Sequence, residues 1–136
     1  MKLSTYLLFN GNCEAAFKYY EQHLGGKIAV LLDHSTMPPS DNIPPEWREK
    51  VMHARLEIGE QVLLASDAPP AFGAPNQGFN VHLEIADPAE AERIFNALAE
   101  NGSIKMPFGQ TFWAYRFGML TDQFGIPWMI NCEKPA

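Results

Sequence analysis

Three polar side chains that could do chemistry recur at every second position between Val51 and Ile58. They are His53, Arg55 and Glu57. In a β-strand, residues spaced by two point to the same face, so these side chains would form one polar row. The row is typical either of a ridge that lines a ligand cavity or of a set of cross-strand ion pairs. In the first case Glu57 is a candidate catalytic group, and His53 and Arg55 are candidate ligand-binding residues.

A second polar row alternates with apolar residues in the segment 79–85. It consists of Asn80, His82 and Glu84. A neutral imidazole at His82 could act as a general base or could hydrogen-bond a ligand. The simpler alternative is a solvated histidine on a strand. His82 is therefore the second candidate catalytic residue, and Asn80 is a candidate ligand-binding residue.

The two rows together could provide a metal site if they faced one cavity. His53 and His82, with Glu57 and Glu84, carry donors that Zn²⁺ or another transition metal accepts. No metal-ligand spacing motif accompanies them, and each residue also fits the polar side of an alternating strand. The sequence therefore favours two polar strand faces, with a metal site as the alternative.

Aromatic residues are densest in the stretch 110–131, which holds two of the three tryptophans. Large and small side chains alternate over 113–120, and this period of two predicts a strand. Arg116 is the only cation on that strand. Beside Tyr115, it could bind a carboxylate or phosphate bidentately, or it could pair with a nearby acid.

The end of this stretch predicts a last strand with two different faces. Trp128 is expected in the core, and Met129 and Asn131 are expected on the opposite face, toward a cavity. The chain contains no phosphate-binding loop of the G-x-x-x-x-G-K-[ST] type, and no nucleophile elbow supports a Ser/His/Asp arrangement. The stretch thus predicts ligand contacts rather than a known catalytic motif.

Composition narrows the class of protein. A chain of 136 residues with 46% hydrophobic and 19% charged residues fits one globular domain. A net charge of −6 disfavours nucleic acid and anionic membranes as partners. We expect no secretory signal, because the apolar run near the N-terminus is too short, and Cys13 and Cys132 show no CxxC spacing. We expect two free thiols in the cytoplasm, with a disulfide or a catalytic thiol as alternatives.

The periodicity predicts the same order of elements twice. The predicted elements are a strand at 3–9, a helix capped by Asn12 and closed by Gly25-Gly26, strands at 27–33, 51–58 and 61–66, a strand at 79–85, a helix from Asp87-Pro88 to Gly102, a strand from 104, and a hairpin turning near 122–125. Loops span 34–50 and 67–78. We therefore expect one α+β domain of two βαβββ modules, about 1–67 and 78–134, whose mixed sheets curve around a shared cavity.

This order, the segment "NGNCEAAFKYYEQHLGG" and one motif together resemble a known family. The motif W-x-x-x-F-G-x-x-x-D-x-F-G-x-x-W is carried by Trp113, Phe117, Gly118, Asp122, Phe124, Gly125 and Trp128. The chain resembles the PhnB-like branch of the vicinal oxygen chelate superfamily, which includes glyoxalase I, bleomycin-resistance proteins and extradiol dioxygenases. The resemblance implies a homodimer with a small-molecule ligand, related by the branch's name to phosphonates. It also suggests Trp47 and the 34–50 loop for the dimer contact or a lid.

The resemblance also implies where metal ligands would lie. Threading the four usual ligand positions onto this chain gives Thr5, Leu64, Asn80 and Met129. None is His, Asp or Glu, so the usual divalent-metal site is expected to be missing, and we predict no cofactor. The predicted ligand-binding residues are Thr5, His53, Arg55, Asn80, Tyr115, Arg116, Met129 and Asn131. The favoured function is binding of a small molecule without this metal, and the alternative is a lyase, isomerase or dioxygenase of the same superfamily.

Overall fold

One order of elements occurs twice along the chain. The computed structural model describes residues 1–36, 45–69 and 75–133. Its helices and strands are β1 (Thr5–Phe9), α1 (Cys13–Leu24), β2 (Lys27–Asp33), β3 (Val51–Ile58), β4 (Gln61–Asp67), β5 (Val81–Glu84), α2 (Pro88–Ala99), β6 (Ser103–Gly109), β7 (Arg116–Thr121) and β8 (Pro127–Cys132). This order confirms the predicted pair of βαβββ modules and the α+β class.

The chain divides into two compact units, Met1–Pro75 and Asn76–Ala136, which we describe separately. Each predicted module falls within one of these units. That the two modules form a single domain around a shared cavity stays a prediction. Residues 37–44 of the predicted 34–50 loop lie outside the described residues, and the described parts include short 3₁₀ turns at His34–Thr36 and Pro45–Trp47.

A mixed sheet and one helix form the first unit. Its strand order is β1-β4-β3-β2, with β1 parallel to β4 and the other neighbours antiparallel. Helix α1 contacts β2, β3 and β4. The Phe9 and Phe17 rings meet edge to face at 6.2 Å between centroids, and Leu7, Leu56 and Ala65 are fully buried. The core of this unit therefore lies between α1 and one face of the sheet.

The second unit repeats this topology with strand order β5-β8-β7-β6. Helix α2 contacts β6, β7 and β8. Phe95 and Leu98 of the helix are buried, as are Trp128 and Ile130 of β8. The expectation that Trp128 belongs to the core is therefore confirmed.

The start of α2 forms as the sequence predicts. The Asp87 carboxylate accepts a hydrogen bond from the Glu90 N–H at 3.0 Å, and Pro88 occupies the first helical position. Proline suits this position because it lacks an N–H that would otherwise need a partner.

The start of α1 lies where the sequence predicts, but another residue supplies the capping acceptor. Asn12 is the N-cap residue as predicted, but its side chain makes no capping hydrogen bond. Instead, Asp67 at the end of β4 accepts the N–H groups of Gly11 and Cys13 through Oδ1, at 2.9 and 3.0 Å. Its Oδ2 accepts the Val51 N–H at 3.0 Å. A buried carboxylate distant in sequence thus joins the helix start to β3, which local pattern cannot reveal.

Equivalent glycines follow the two helices for a packing reason. After α1, Gly25 adopts the left-handed conformation that ends the helix, and after α2 Asn101 does so. A Cβ atom on the next residue would lie 2.8 Å from the Glu57 carbonyl oxygen at Gly26, and one at Gly102 would overlap the Thr121 carbonyl oxygen. Both junctions therefore need glycine because the chain passes close to a neighbouring strand.

Strand β7 starts later than predicted. Residues 113–115 were assigned to it, but the strand begins at Arg116. Thr111 Oγ1 accepts the Ala114 N–H at 3.0 Å, and the Thr111 N–H donates to the Ala114 carbonyl at 3.2 Å. This local turn uses backbone groups that a strand would need, so the alternation of residue sizes there was misleading. The edge strands β1 and β5 are also shorter than predicted.

Candidate functional site

The first sheet has one face that α1 does not cover, which we call the first helix-free face. Because Leu7 and Phe9 point toward α1, strand alternation places Tyr6 and Leu8 on this other side. Strand pairing aligns neighbours across the face, and its members include Tyr6, Leu8, Leu32, His53, Arg55, Glu57, Val62 and Leu64. The predicted polar row of β3 thus lies among apolar side chains.

Tyr6 and His53 form a pair on this face. The Tyr6 hydroxyl lies 3.2 Å from His53 Nδ1, at hydrogen-bond distance. Their rings stack with centroids 5.9 Å apart and an interplanar angle of 25°. Tyr6 is 46% exposed and His53 is partly exposed, so both polar groups can reach a ligand from solvent. Either ring can donate in this bond, which makes the pair able to hold or transfer one proton.

Arg55 lies on the same cross-strand row as Tyr6, with Leu64 between them. Its Nε donates to Glu57 Oε2 at 3.0 Å, and the two side chains are 39% and 43% exposed. The ion pair runs along β3 rather than across strands. At this exposure the pair contributes little to stability, about 0–1 kcal/mol. Its effect is to orient the guanidinium on the face.

The ligand position threaded onto β1 is off by one residue. Thr5 pairs with Leu63 and alternates with Tyr6, so it lies on the side of α1. The residue of β1 that faces the polar row is Tyr6, which the sequence analysis missed. The sequence did contain a signal for Tyr6. Leu7 and Phe9 are apolar residues of β1 that can pack against the apolar stripe of α1, so Tyr6 between them points to the opposite face. Leu64, in contrast, lies on the first helix-free face as threaded.

The second sheet also has a face away from its helix, the second helix-free face. Trp128 and Ile130 are buried toward α2, so Met129 and Asn131 point to the other side. Pairing of β5 with β8 places His82 beside Met129 and Glu84 beside Asn131. From β7, Met119 and Phe117 join these rows. Asn80 precedes β5 and is exposed. The structure thus brings His82, Met129 and Asn131 together on one face.

Acidic side chains lie at one end of this face. Asn131 Nδ2 donates to Glu84 Oε1 at 3.1 Å. The protonated Glu133 carboxyl donates a hydrogen bond to the Glu84 carboxylate, and this bond, together with the negative charge of Glu84, raises the pKa of the Glu133 carboxyl. Glu133 therefore holds its proton more tightly than an isolated glutamate does.

Arg116 and Tyr115 lie apart from Met129 and Asn131. Arg116 pairs with Cys132 and alternates with Phe117, so it takes the side of the sheet that carries α2. Its Nη1 donates to the Tyr115 carbonyl at 3.0 Å, and its guanidinium lies 4.4 Å from the centroid of the Tyr115 ring. Their ligand-binding role stays a prediction, separate from the two helix-free faces.

The aspartate of the family motif holds a turn and takes no part in either face. Asp122 is buried, and its Oδ1 accepts the N–H groups of Phe124 and Ile126 at 2.9 and 3.0 Å. Its Oδ2 accepts the Trp128 indole N–H at 2.8 Å. Gly125 completes the turn with a positive φ of 90°. The motif therefore describes how β7 turns into β8.

Metal donors and thiols have few features of a reactive centre. Within residues 1–36, 45–69 and 75–133, no group of three or more His, Cys, Asp or Glu side chains could hold a metal ion. Cys13 and Cys132 are buried, free thiols. Burial, with the nearby charges of Asp67 and Glu14, raises the pKa of the Cys13 thiol well above its usual range. Cys13 thus lacks the low pKa of a catalytic cysteine.

Trp47 lies in the first unit near the start of α1. The side chain is half-buried, and a Cβ atom at Gly11 would lie 3.8 Å from its Cη2. Lys50 Nζ donates to the Gly11 carbonyl at 3.0 Å. The proposed part of Trp47 in a lid or dimer contact stays a prediction. In the described part of the chain, neither helix has the length and apolar character needed to cross a membrane.

Several known proteins are similar to this chain in sequence or in fold. Protein YjdN of Escherichia coli K12 is 39% identical over 142 residues, covering 98% of this chain and 97% of YjdN. The crystal structure of protein PA1353 from Pseudomonas aeruginosa is 48% identical, with a TM-score of 0.90 and 99% of each chain covered. A PhnB protein from Bacillus cereus, described as a putative 3-demethylubiquinone-9 3-methyltransferase, has a TM-score of 0.79 at 22% identity, covering 97% of this chain and 99% of its own.

A family model extends this likeness over residues 2–130. Its match confirms the superfamily that the motif suggested. The chain belongs to the Glyoxalase/Bleomycin resistance protein/Dioxygenase superfamily.

Proposed function

We propose that this protein binds a small organic anion with an apolar body on the first helix-free face. The observation that carries the proposal is the Tyr6–His53 pair on the same face as Arg55. Leu8 and Leu64 provide apolar surface beside these polar groups. A few polar groups placed among apolar side chains are typical of small-molecule sites.

Arg55 is the group that would select an anion. Its Nε–H is used by Glu57, which leaves the four Nη hydrogens for a ligand within the described structure. A carboxylate or phosphonate could accept two of them in a fork. Tyr6 and His53 could donate to a further oxygen of the same group. The phosphonate association of the PhnB-like branch supports this ligand class.

The Tyr6–His53 hydrogen bond also supports a second candidate function, a metal-independent lyase or isomerase. A phenol and an imidazole joined at 3.2 Å can pass a proton to or from a bound substrate. Here His53 would take the role first predicted for His82 and Glu57. Conversion of a ligand into product would favour this function, and stabilisation by an unchanged ligand would favour binding alone.

A thermal-shift screen tests the proposal with phenylphosphonate, benzoate and the cation benzyltrimethylammonium. We expect the two anions to raise the melting temperature. Arg55→Gln should weaken their binding about tenfold to a hundredfold, because a hydrogen bond to a charged group contributes roughly 1.5–3 kcal/mol. Arg93→Gln is the matched control, since Arg93 is exposed on α2 and pairs with Glu90. Equal binding by both variants would contradict the proposal.

The proposal includes the assembly and location expected from the family. We propose a cytoplasmic homodimer that lacks the usual divalent metal. Light scattering should give twice the chain mass of 15.2 kDa. Elemental analysis of protein purified without added metal should find far less than one Ni, Zn, Fe or Mn ion per chain. A monomer, or a stoichiometric ion, would overturn the corresponding part.

A further inference from the structure

Soft metal donors form a row across the whole second sheet. Strand pairing places His82 of β5 beside Met129 of β8, Met129 beside Met119 of β7, and Met119 beside Met106 of β6. All four lie on the second helix-free face, because Trp128 of β8 points to α2. Three of the six methionines in the chain thus share one row with a histidine.

The chemistry of these donors selects a particular class of ion. Thioether sulfur is a soft ligand that prefers Cu(I), and imidazole also suits copper. Hard ions such as Mg²⁺ require oxygen ligands, which this row lacks. The row is therefore suited to a soft ion such as Cu(I) and not to a hard ion such as Mg²⁺.

The spacing allows neighbouring donors to reach one ion. Adjacent strands lie about 4.8 Å apart, and methionine has three rotatable bonds beyond its backbone. Met129 is central, with His82 and Met119 one strand away on either side. A three-coordinate arrangement therefore needs only side-chain rotation. Met106, on the edge strand, is within one further strand.

Exposure and charge also suit a cation. His82 is exposed, Met119 and Met129 are partly exposed, and an ion can reach them from solvent. Glu84 is on the same strand as His82, two residues away, and it faces the same side. Glu84 and Glu133 are acidic residues at this end of the face, and negative charge attracts cations.

We propose that His82, Met129 and Met119 bind one monovalent soft metal ion, Cu(I) or its analogue Ag(I), with Met106 as an additional donor. The site uses residues of the second sheet, and none of them belongs to the anion site proposed on the first helix-free face. No redox step is required of the ion. The metal site could therefore be disproved while the anion site stands, and the reverse also holds.

Silver titration followed by NMR tests the site. In protein labelled with ¹³C at the methionine methyl groups, one equivalent of Ag(I) should shift the Met129 and Met119 signals and leave Met52 of β3 unchanged. Cu(I) added anaerobically, in competition with a chromophoric chelator, should bind with the same stoichiometry. The buried thiols are a competing site, so the titration is repeated in a Cys13→Ala/Cys132→Ala background.

Variants separate ligation from packing. Met129→Leu/Met119→Leu conserves side-chain volume and should fold, yet it should lose at least tenfold in Ag(I) affinity. Met52→Leu is the matched control and should bind as the wild type does. Unchanged binding by the double variant, unshifted Met129 and Met119 methyl signals, or binding that disappears with the two cysteines would overturn the proposal.

Discussion

Replacing Asp122 with alanine should destabilise the second unit more than any surface change. The carboxylate is buried and accepts two backbone N–H groups and the indole N–H of Trp128, all within 3.0 Å. Alanine removes the acceptor and leaves these three donors without it. The turn between β7 and β8 then loses the bonds that set its geometry.

The magnitude follows from the three bonds. A hydrogen bond to a charged group contributes about 1.5–3 kcal/mol, and a buried donor left unpaired costs about 1–3 kcal/mol. The Phe124 N–H is only partly buried, so water can replace one bond. We therefore expect a loss of about 3–5 kcal/mol for Asp122→Ala. Asp122→Asn keeps one acceptor oxygen and should cost less, about 1–3 kcal/mol.

Urea denaturation measures these losses as changes in the free energy of unfolding. Asp87→Ala is the matched control, because Asp87 is an exposed aspartate that also accepts a backbone N–H. Loss of this helix cap should cost about 1 kcal/mol. If Asp122→Ala were no more destabilising than Asp87→Ala, the structural reading of the motif would be refuted.

The remaining predictions concern packing, reactivity and titration. Gly102→Ala should destabilise the protein in urea, because a Cβ atom there overlaps the Thr121 carbonyl oxygen; unchanged stability would show that the junction is looser than described. Cys13 should not react with a disulfide reagent at pH 8 until the protein is unfolded, because burial raises the pKa of its thiol; rapid native labelling would contradict this. Glu84→Ala should lower the pKa of Glu133 in a carboxyl NMR titration, because Glu84 raises it; an unchanged pKa would exclude that coupling.

Much of the fold could be predicted because its signals are local. Alternation over β3 and the Asp87-Pro88 start of α2 were read correctly, since strand parity and helix capping each depend on a few neighbouring residues. Asn12 was correctly placed at the N-cap, but the side-chain acceptor that serves the helix start is Asp67, 55 positions later in the printed sequence. Long-range bonds of this kind leave no trace in local periodicity.

The candidate site was only partly predictable. The polar row of β3 was found from its spacing, but its partner Tyr6 was missed because a slip of one residue exchanges the two faces of a strand. Arg116 was predicted to bind a ligand, and the pairing of β7 with β8 places it on the side of the sheet that carries α2, apart from Met129 and Asn131. The row of His82, Met129, Met119 and Met106 could not be predicted either, because it arises from pairing between strands and has no regular spacing along the sequence.

NMR can show directly whether a ligand binds on the first helix-free face. With ¹⁵N-labelled protein and phenylphosphonate, NMR can follow the Arg55 side chain and the backbone signals of Tyr6 and His53 through a titration. The account predicts that these signals shift first, and that Arg55→Gln abolishes the shifts at the same ligand concentration. Shifts confined to the second unit, or equal shifts in the Arg55→Gln variant, would contradict it.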